Sequence, residues 1–201
     1  REGLTKGFKV RHRYHPPRHH GRNYGGVKEM PERAEAQLAK ERGRFNEGPL
    51  HYVPHIVTDL NGIFYEEKDK FRLIWDCKKS HYNESNEEAG GDFTTLPEML
   101  KRQRPDVWMA GFDQRDAFRL WSLEQTEGDL IGMYSEATQS YDRARFLVFG
   151  ANYSPEVQGD NMKELMEVWD KHVNETCPRG AHPQGFETTA AWVDDGHIIM
   201  D

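Results

Sequence analysis

A chain of 201 residues, 36% hydrophobic and 30% charged with a net charge of −7, is long enough for one core-bearing domain plus an arm. No apolar run approaches membrane-spanning length, so a transmembrane segment is excluded from the reading. The charge is uneven: residues 1–48 hold 12 Lys and Arg against 6 Asp and Glu, and the rest hold 15 against 28. A basic arm therefore precedes an acidic body, and that body is a poor surface for gripping a nucleic acid duplex by itself.

Cys77 and Cys177 lie far apart without metal-ligand spacing, which predicts free thiols in a reducing, intracellular setting, an organelle included. The chain starts without Met and without a signal-peptide apolar stretch, as expected of a processed form or a piece of a longer protein.

Residues 1–27 are rich in Arg, His, Gly and Pro and read as an extended cationic arm rather than a packed element. Metal binding by His12, His15, His19 and His20 is the weaker reading of the same stretch. Arm residues 1–47 are expected to contact RNA or other protein chains. Residues 30–44 read as a helix with Pro31 in its first turn and little apolar face, hence lying on a surface or on a partner.

The body, residues 48–201, opens with strand-like Tyr52–Val57 and Ile63–Tyr65, a charged turn over 66–70, and a return strand Phe71–Asp76. Residues 83–92 read as a polar loop, and Thr95–Glu98 carries a capping-box pattern opening a helix to Arg104. Val107–Asp113 is a strand, Phe118–Leu123 a strand or short helix, and Leu130–Tyr134 with Arg145–Phe149 a hairpin across a long loop. Residues 160–173 place Met162, Leu165, Met166, Trp169 and Val173 at helical spacing, a stripe expected to pack in the core. The chain closes on a hairpin in which an Asp-Gly signal puts Asp194 and Asp195 at or beside the tip. The sum is an α+β fold, an antiparallel-rich sheet with helices on one side.

Asp194 and Asp195 between two apolar runs, and Asp113 closing another, are three carboxylates at strand ends. Adjacent carboxylates repel unless a cation lies between them, and oxygen-ligated divalent metals serve that purpose. An ordinary polar turn is the plain alternative for the Asp-Asp-Gly segment taken alone.

Four blocks in order resemble the reverse transcriptases of retrotransposons and retroviruses: Lys70-Phe-Arg-Leu-Ile-Trp-Asp76, Phe112-Asp-Gln-Arg-Asp-Ala-Phe-Arg119, Phe149-Gly-Ala-Asn-Tyr-Ser-Pro155 and Trp192-Val-Asp-Asp195. The resemblance covers roughly residues 48–201 and implies a polymerase fingers–palm domain. It implies that Asp113 and Asp194 bind two Mg²⁺ (or Mn²⁺) ions, with Asp195 as the supporting carboxylate. It implies further that Arg72, with Lys70 nearby, neutralises a deoxynucleoside triphosphate and that the backbone at Asp116 and Ala117 approaches it. Phe118 would sit under the sugar, and Phe149 and Gly150 would line the nucleotide pocket. The partners implied are an RNA or DNA primer–template.

This sequence departs from the family pattern in places. Trp192 stands where Tyr is usual, Gly196-His197 where aliphatic residues are common, no Pro precedes Phe149, and Tyr153 replaces a small residue. Only six residues follow Asp195, so a thumb and primer grip are not expected within this chain. Two uses of such a domain stand side by side: an RNA-directed DNA polymerase, and a catalytically silent structural subunit of a large assembly such as an organellar ribonucleoprotein or a respiratory complex.

Overall fold

The charged turn over 66–70 is the tip of a hairpin in the computed structural model, which describes residues 6–87, 108–176, 189–192 and 195–200. Strand β4 (Asp59–Tyr65) pairs antiparallel with β5 (Lys70–Asp76), with Asp59 opposite Asp76 and Tyr65 opposite Lys70. A short 3₁₀ turn, Glu66–Lys68, and Asp69 in the left-handed region (φ 43°) reverse the chain. Alternation along the strands buries Leu60, Leu73 and Trp75 on one face and exposes Ile63, Tyr65, Arg72 and Ile74 on the other.

Two helices, α1 (Gly25–Glu29) and α2 (Pro31–Glu41), pack on β4 and β5 respectively. Pro31 begins α2, Glu32 lies in its first turn and Lys40 in its last, as the helix dipole favours. The reading of α2 as a surface helix needs correction. Its apolar stripe is narrow, but Ala34, Leu38 and Glu41, at helical spacing, are all buried. The third position is tolerated inside because Arg119 pairs with the Glu41 carboxylate at 2.9 Å.

These elements belong to a first unit, residues 1–89 with 118–154, that also holds a five-stranded mixed sheet. Its order is β1 (His19–His20), β3 (Ile56–Val57), β7 (Gly132–Ser135), β8 (Ser140–Ala144), β2 (Asn46–Leu50). The β1–β3 and β3–β7 pairings are parallel and the other two antiparallel. The strand predicted over Tyr52–Val57 is confined to Ile56–Val57. The hairpin predicted between Leu130–Tyr134 and Arg145–Phe149 forms instead between β7 and β8, and of the later run only Phe146 makes an isolated bridge, to Ser122. The polar sequence of β8 hid it: Asp142 is buried against Arg42 (2.8 Å) and Arg143 against Glu47 (2.8 Å) and Asp129 (3.0 Å). At the start of the predicted loop 83–92, Tyr82–Ser85 form a one-turn helix, α3, and residues 88–92 lie outside the described residues. The predicted helix over 95–104 lies outside the described residues.

The arm is extended as expected, yet it is packed rather than loose. Val10, Pro16, Gly21, Asn23 and Val27 are buried. Its histidines hold it to the first unit: His12 bridges Ser85 Oγ (3.0 Å) and Glu127 (3.1 Å), and His19 bonds Asp59 (2.7 Å). Among the described residues, His12, His15, His19 and His20 included, no three His, Cys, Asp or Glu are grouped as a metal would need.

Asp59 illustrates the cost and the compensation. Burial alone would raise its carboxyl pKa, but hydrogen bonds from Lys79 Nζ (2.7 Å), His19 Nε2 and the Arg22 N–H (3.0 Å) outweigh that and hold it below the usual carboxylate value. A carboxyl depressed in the fold stabilises fully above its unfolded value and loses that contribution as pH falls through the folded one. Asp59→Asn is therefore expected to lower Tm at neutral pH and to flatten the fall of Tm below about pH 4, read by thermal unfolding across pH. An unchanged acid limb would contradict this assignment.

The second unit, residues 90–117 with 155–201, carries a three-stranded antiparallel sheet in the order β6 (Trp108–Asp113), β10 (Asp195–Met200), β9 (Thr189–Trp192). Helix α4 (Tyr153–Thr176) starts seven residues before the predicted 160 and runs through it. Val157, Met162 and Met166 are buried, whereas Leu165 and Trp169, expected in the core, are about half exposed (51% and 47%). Met162 and Met166 of the predicted stripe are thus buried while Leu165 and Trp169 are not, and the side chain of Val173 lies outside the described residues. No described helix is long and apolar enough to cross a membrane. The architecture as a whole is mixed α+β.

Candidate functional site

Six residues of β6, Trp-Met-Ala-Gly-Phe-Asp, read as strand and form one, with Asp113 its last residue. The His-Ile-Ile-Met run of β10 supplies the partner, and Asp195 is that strand's first residue. The register places Asp195 directly opposite Asp113, and Met200 opposite Trp108 at the far end. Directly opposite residues of an antiparallel ladder stand on one face with Cβ atoms about 4.5–5.5 Å apart, where like charges destabilise.

On its other side Asp195 pairs with Trp192 of β9. Gly196 is a strand residue opposite Phe112 and Ala191. Asp194 lies outside the described residues.

Beyond Asp113 the chain turns sharply. Asp116 adopts a left-handed conformation (φ 56°), with its carboxylate 3.7 Å from Arg115 Nε, both exposed. Ala117 is buried at the start of a 3₁₀ turn, Ala117–Leu120. The fully buried Gln158 of α4 donates its amide to Gln114, which ties this turn to the helix. That positioning contact was not legible, because a Gln within a helix reads as solvated.

The remaining predicted residues belong to the first unit. Lys70 and Arg72 lie on the solvent face of β5, opposite Tyr65 and Ile63. The Arg72 guanidinium stands 5.5 Å from the Tyr65 ring centroid. Among the described residues neither Lys70 nor Arg72 has a carboxylate within ion-pairing distance.

Phe118 and Phe149 meet edge-on, with ring centroids 4.7 Å apart; Phe118 is buried and Phe149 half exposed. Gly150 follows at φ +106°, and a Cβ there would lie 2.0 Å from the Trp75 carbonyl oxygen, so only glycine fits. Ser154, fully buried, donates its hydroxyl to the Val148 carbonyl at 2.8 Å and closes the turn before α4. Asn83 of α3 clamps the same turn, donating to the Gly150 carbonyl (2.9 Å) and accepting from the Asn152 N–H (3.0 Å). Asn83 fell in a stretch read as loop, and no sequence signal marks this contact.

The predicted residues thus form two groups. Asp113 and Asp195, with Asp116 and Ala117 following, are set on the three-stranded sheet and its exit turn. Lys70, Arg72, Phe118, Phe149 and Gly150 are set around β5 and the turn packed on it.

No protein-family model matches the sequence, and comparison with curated protein sequences gives no match. Among solved structures the chain is similar to the crystal structure of a prototype foamy virus protease–reverse transcriptase, a selenomethionine-labelled CSH mutant. The TM-score is 0.67 at 11% sequence identity, over 94% of this chain and 24% of that one. The chain therefore spans about a quarter of the length of that protein. At this identity the likeness establishes the fold, a reverse-transcriptase-like one.

Proposed function

We propose that this chain is the fingers–palm portion of an RNA-directed DNA polymerase that joins deoxynucleotides to a primer by two-metal chemistry. The observation that carries the reading is the register of β6 and β10, which sets Asp113 opposite Asp195 within a reverse-transcriptase-like fold. Two carboxylates at facing positions and a third adjacent in sequence form a hard-oxygen donor set, which fits Mg²⁺ or Mn²⁺. Metals bound there would activate a primer 3′-hydroxyl and neutralise the departing pyrophosphate.

The chain's own residues take the other roles. Asp113 and Asp194 ligate, and Asp195 supports them. Lys70 and Arg72, on the exposed face of β5, bind the triphosphate of an incoming nucleotide through charge-assisted hydrogen bonds. The backbone N–H groups at Asp116, whose φ is 56°, and Ala117 would donate to phosphate oxygens. Phe118, fixed edge-on against Phe149, presents a ring that fills the space a ribose 2′-hydroxyl would need, and Phe149 with Gly150 flanks the base.

Primer extension on an RNA template with deoxynucleotides and Mg²⁺ or Mn²⁺ tests the proposal. Wild-type chain should extend and Asp194→Asn should not. A correctly folded wild type that extends no primer sinks the reading for this chain.

A further inference from the structure

Between Glu2 and Glu29 the sequence has no carboxylate and seven Lys and Arg, in a protein whose net charge is −7. The structure shows what this run is doing. Backbone hydrogen bonds stitch it down along its length: Phe8 N–H to Ser122 O (2.7 Å), Arg13 N–H to Ser85 O (2.7 Å), Gly21 N–H to Val57 O (2.7 Å) and Tyr24 N–H to Leu60 O (2.9 Å). Val10, His12, Pro16, His19 and Gly21 turn inward, and His12 and His19 find buried acceptors in Glu127 and Asp59. Lys9, Arg13, Arg18 and Arg22 turn outward and are exposed. Among the described residues these four have no carboxylate within ion-pairing distance, whereas Arg33 and Arg119 each have one and Arg42 and Arg143 two. Tyr14, next to Arg13 in the sequence, is 48% exposed.

We infer that this strap is a preformed binding ledge for single-stranded nucleic acid. Four considerations point there. Ordering a free basic tail costs about 1–2 kcal/mol per residue, and here that ordering is complete before a ligand arrives. Lys9, Arg13, Arg18 and Arg22 follow one another at four or five residues, at most about 13–17 Å of extended chain, so one phosphodiester backbone laid along the strap can meet them in turn. An exposed aromatic ring, that of Tyr14, offers a stacking face for an unpaired base, as strand-binding grooves do without regard to sequence. A duplex asks instead for a helix or a two-stranded ribbon that enters its groove, which the single strap does not supply. The inference rests on the nucleic-acid-handling function proposed above and names a contact surface that function does not require.

Fluorescence anisotropy of the full chain with labelled single-stranded RNA, single-stranded DNA and duplex, in EDTA and without nucleotide, tests it. The triple variant Arg13→Gln/Arg18→Gln/Arg22→Gln should bind single strands about ten- to hundredfold more weakly, with a salt slope shallower by about 2, at unchanged Tm. Tyr14→Ala should weaken binding about fivefold or more. The RNA and DNA arms show which sugar is preferred. Wild-type affinity and slope in the triple variant, tighter binding to duplex, or displacement of the strand by polyglutamate as readily as by unlabelled strand would each overturn the inference. A chain that binds strands through these arginines but extends no primer refutes the polymerase reading alone. One that extends primers while its binding ignores the arginines refutes the ledge alone.

Discussion

Replacing Asp113 with Asn is expected to lower primer extension by about a thousandfold, or about 4 kcal/mol of transition-state stabilisation. The cause lies in the ladder. Asp113 ends β6 opposite the first residue of β10, Asp195, so the substitution removes one of two facing carboxylates without changing shape. The same change has a second signature that an ordinary turn would not give. Like charges at facing positions cost about 0.2–1 kcal/mol, so in EDTA the variant should be as stable as wild type or slightly more so. Added Mg²⁺ should raise the Tm of wild type by selective binding to the folded state and leave the variant unmoved. Equal Mg²⁺ responses in the two proteins, measured by thermal unfolding, would remove Asp113 from the metal site whatever the activity shows.

Arg119→Met is expected to be the most destabilising conservative-volume change in the first unit. Arg119 is nearly buried, 2.9 Å from a Glu41 carboxylate that also accepts from Asn46 Nδ2 (3.2 Å), and its guanidinium lies over Trp75 (4.9 Å) and Phe45 (5.4 Å). Breaking such a pair leaves an uncompensated charge inside and costs about 3–5 kcal/mol, or about 10 °C in Tm for a chain of this size. Removing both charges, as in Glu41→Leu/Arg119→Met, should restore most of that loss, since apolar replacement of a buried pair is often neutral. Thermal unfolding of the two variants decides. A double variant no more stable than the single one would show that the pair itself, rather than the stranded carboxylate, is what matters.

Legibility followed burial chemistry. Strand β5 and the end of β6 were readable because their apolar residues carry the pattern themselves: Phe71, Leu73 and Trp75 alternate, and Asp113 follows a continuous apolar run. The Gly150–Pro155 turn was readable because a left-handed glycine and a buried Ser cap leave a short, specific signature. What stayed hidden is held by polar contacts over long separations. Strand β8, Ser-Tyr-Asp-Arg-Ala, is buried only because Arg42, Glu47 and Asp129 meet its charges. The arm looked loose because its anchors are two histidines, a glycine and a proline, residues whose composition signals solvent. Helix α4 misled in the opposite direction: Leu165 and Trp169 continue the apolar spacing yet stand in solvent. The candidate site divided in the same way. Motif order supplied Lys70, Arg72, Asp113, Phe118 and Phe149 as candidates, whereas the contacts that hold the neighbouring turns, Asn83 with Gly150 and Asn152 and Gln158 with Gln114, became visible only in the structure.

The order β1-β3-β7-β8-β2 also has a consequence in time. Neighbours in this sheet come from residues 19–20, 56–57, 132–135, 140–144 and 46–50, so its central strand pairs cannot form until residue 144 has been made. Until then the basic strap has no β3 edge completed by β7 to rest against, and loop closure over such separations slows folding. A ribosome-bound chain shorter than this would hold its cationic N-terminal segment beside an unfinished acidic body. Late closure of the sheet thus leaves the strap, made before the strands it rests on, among the last segments to find its place.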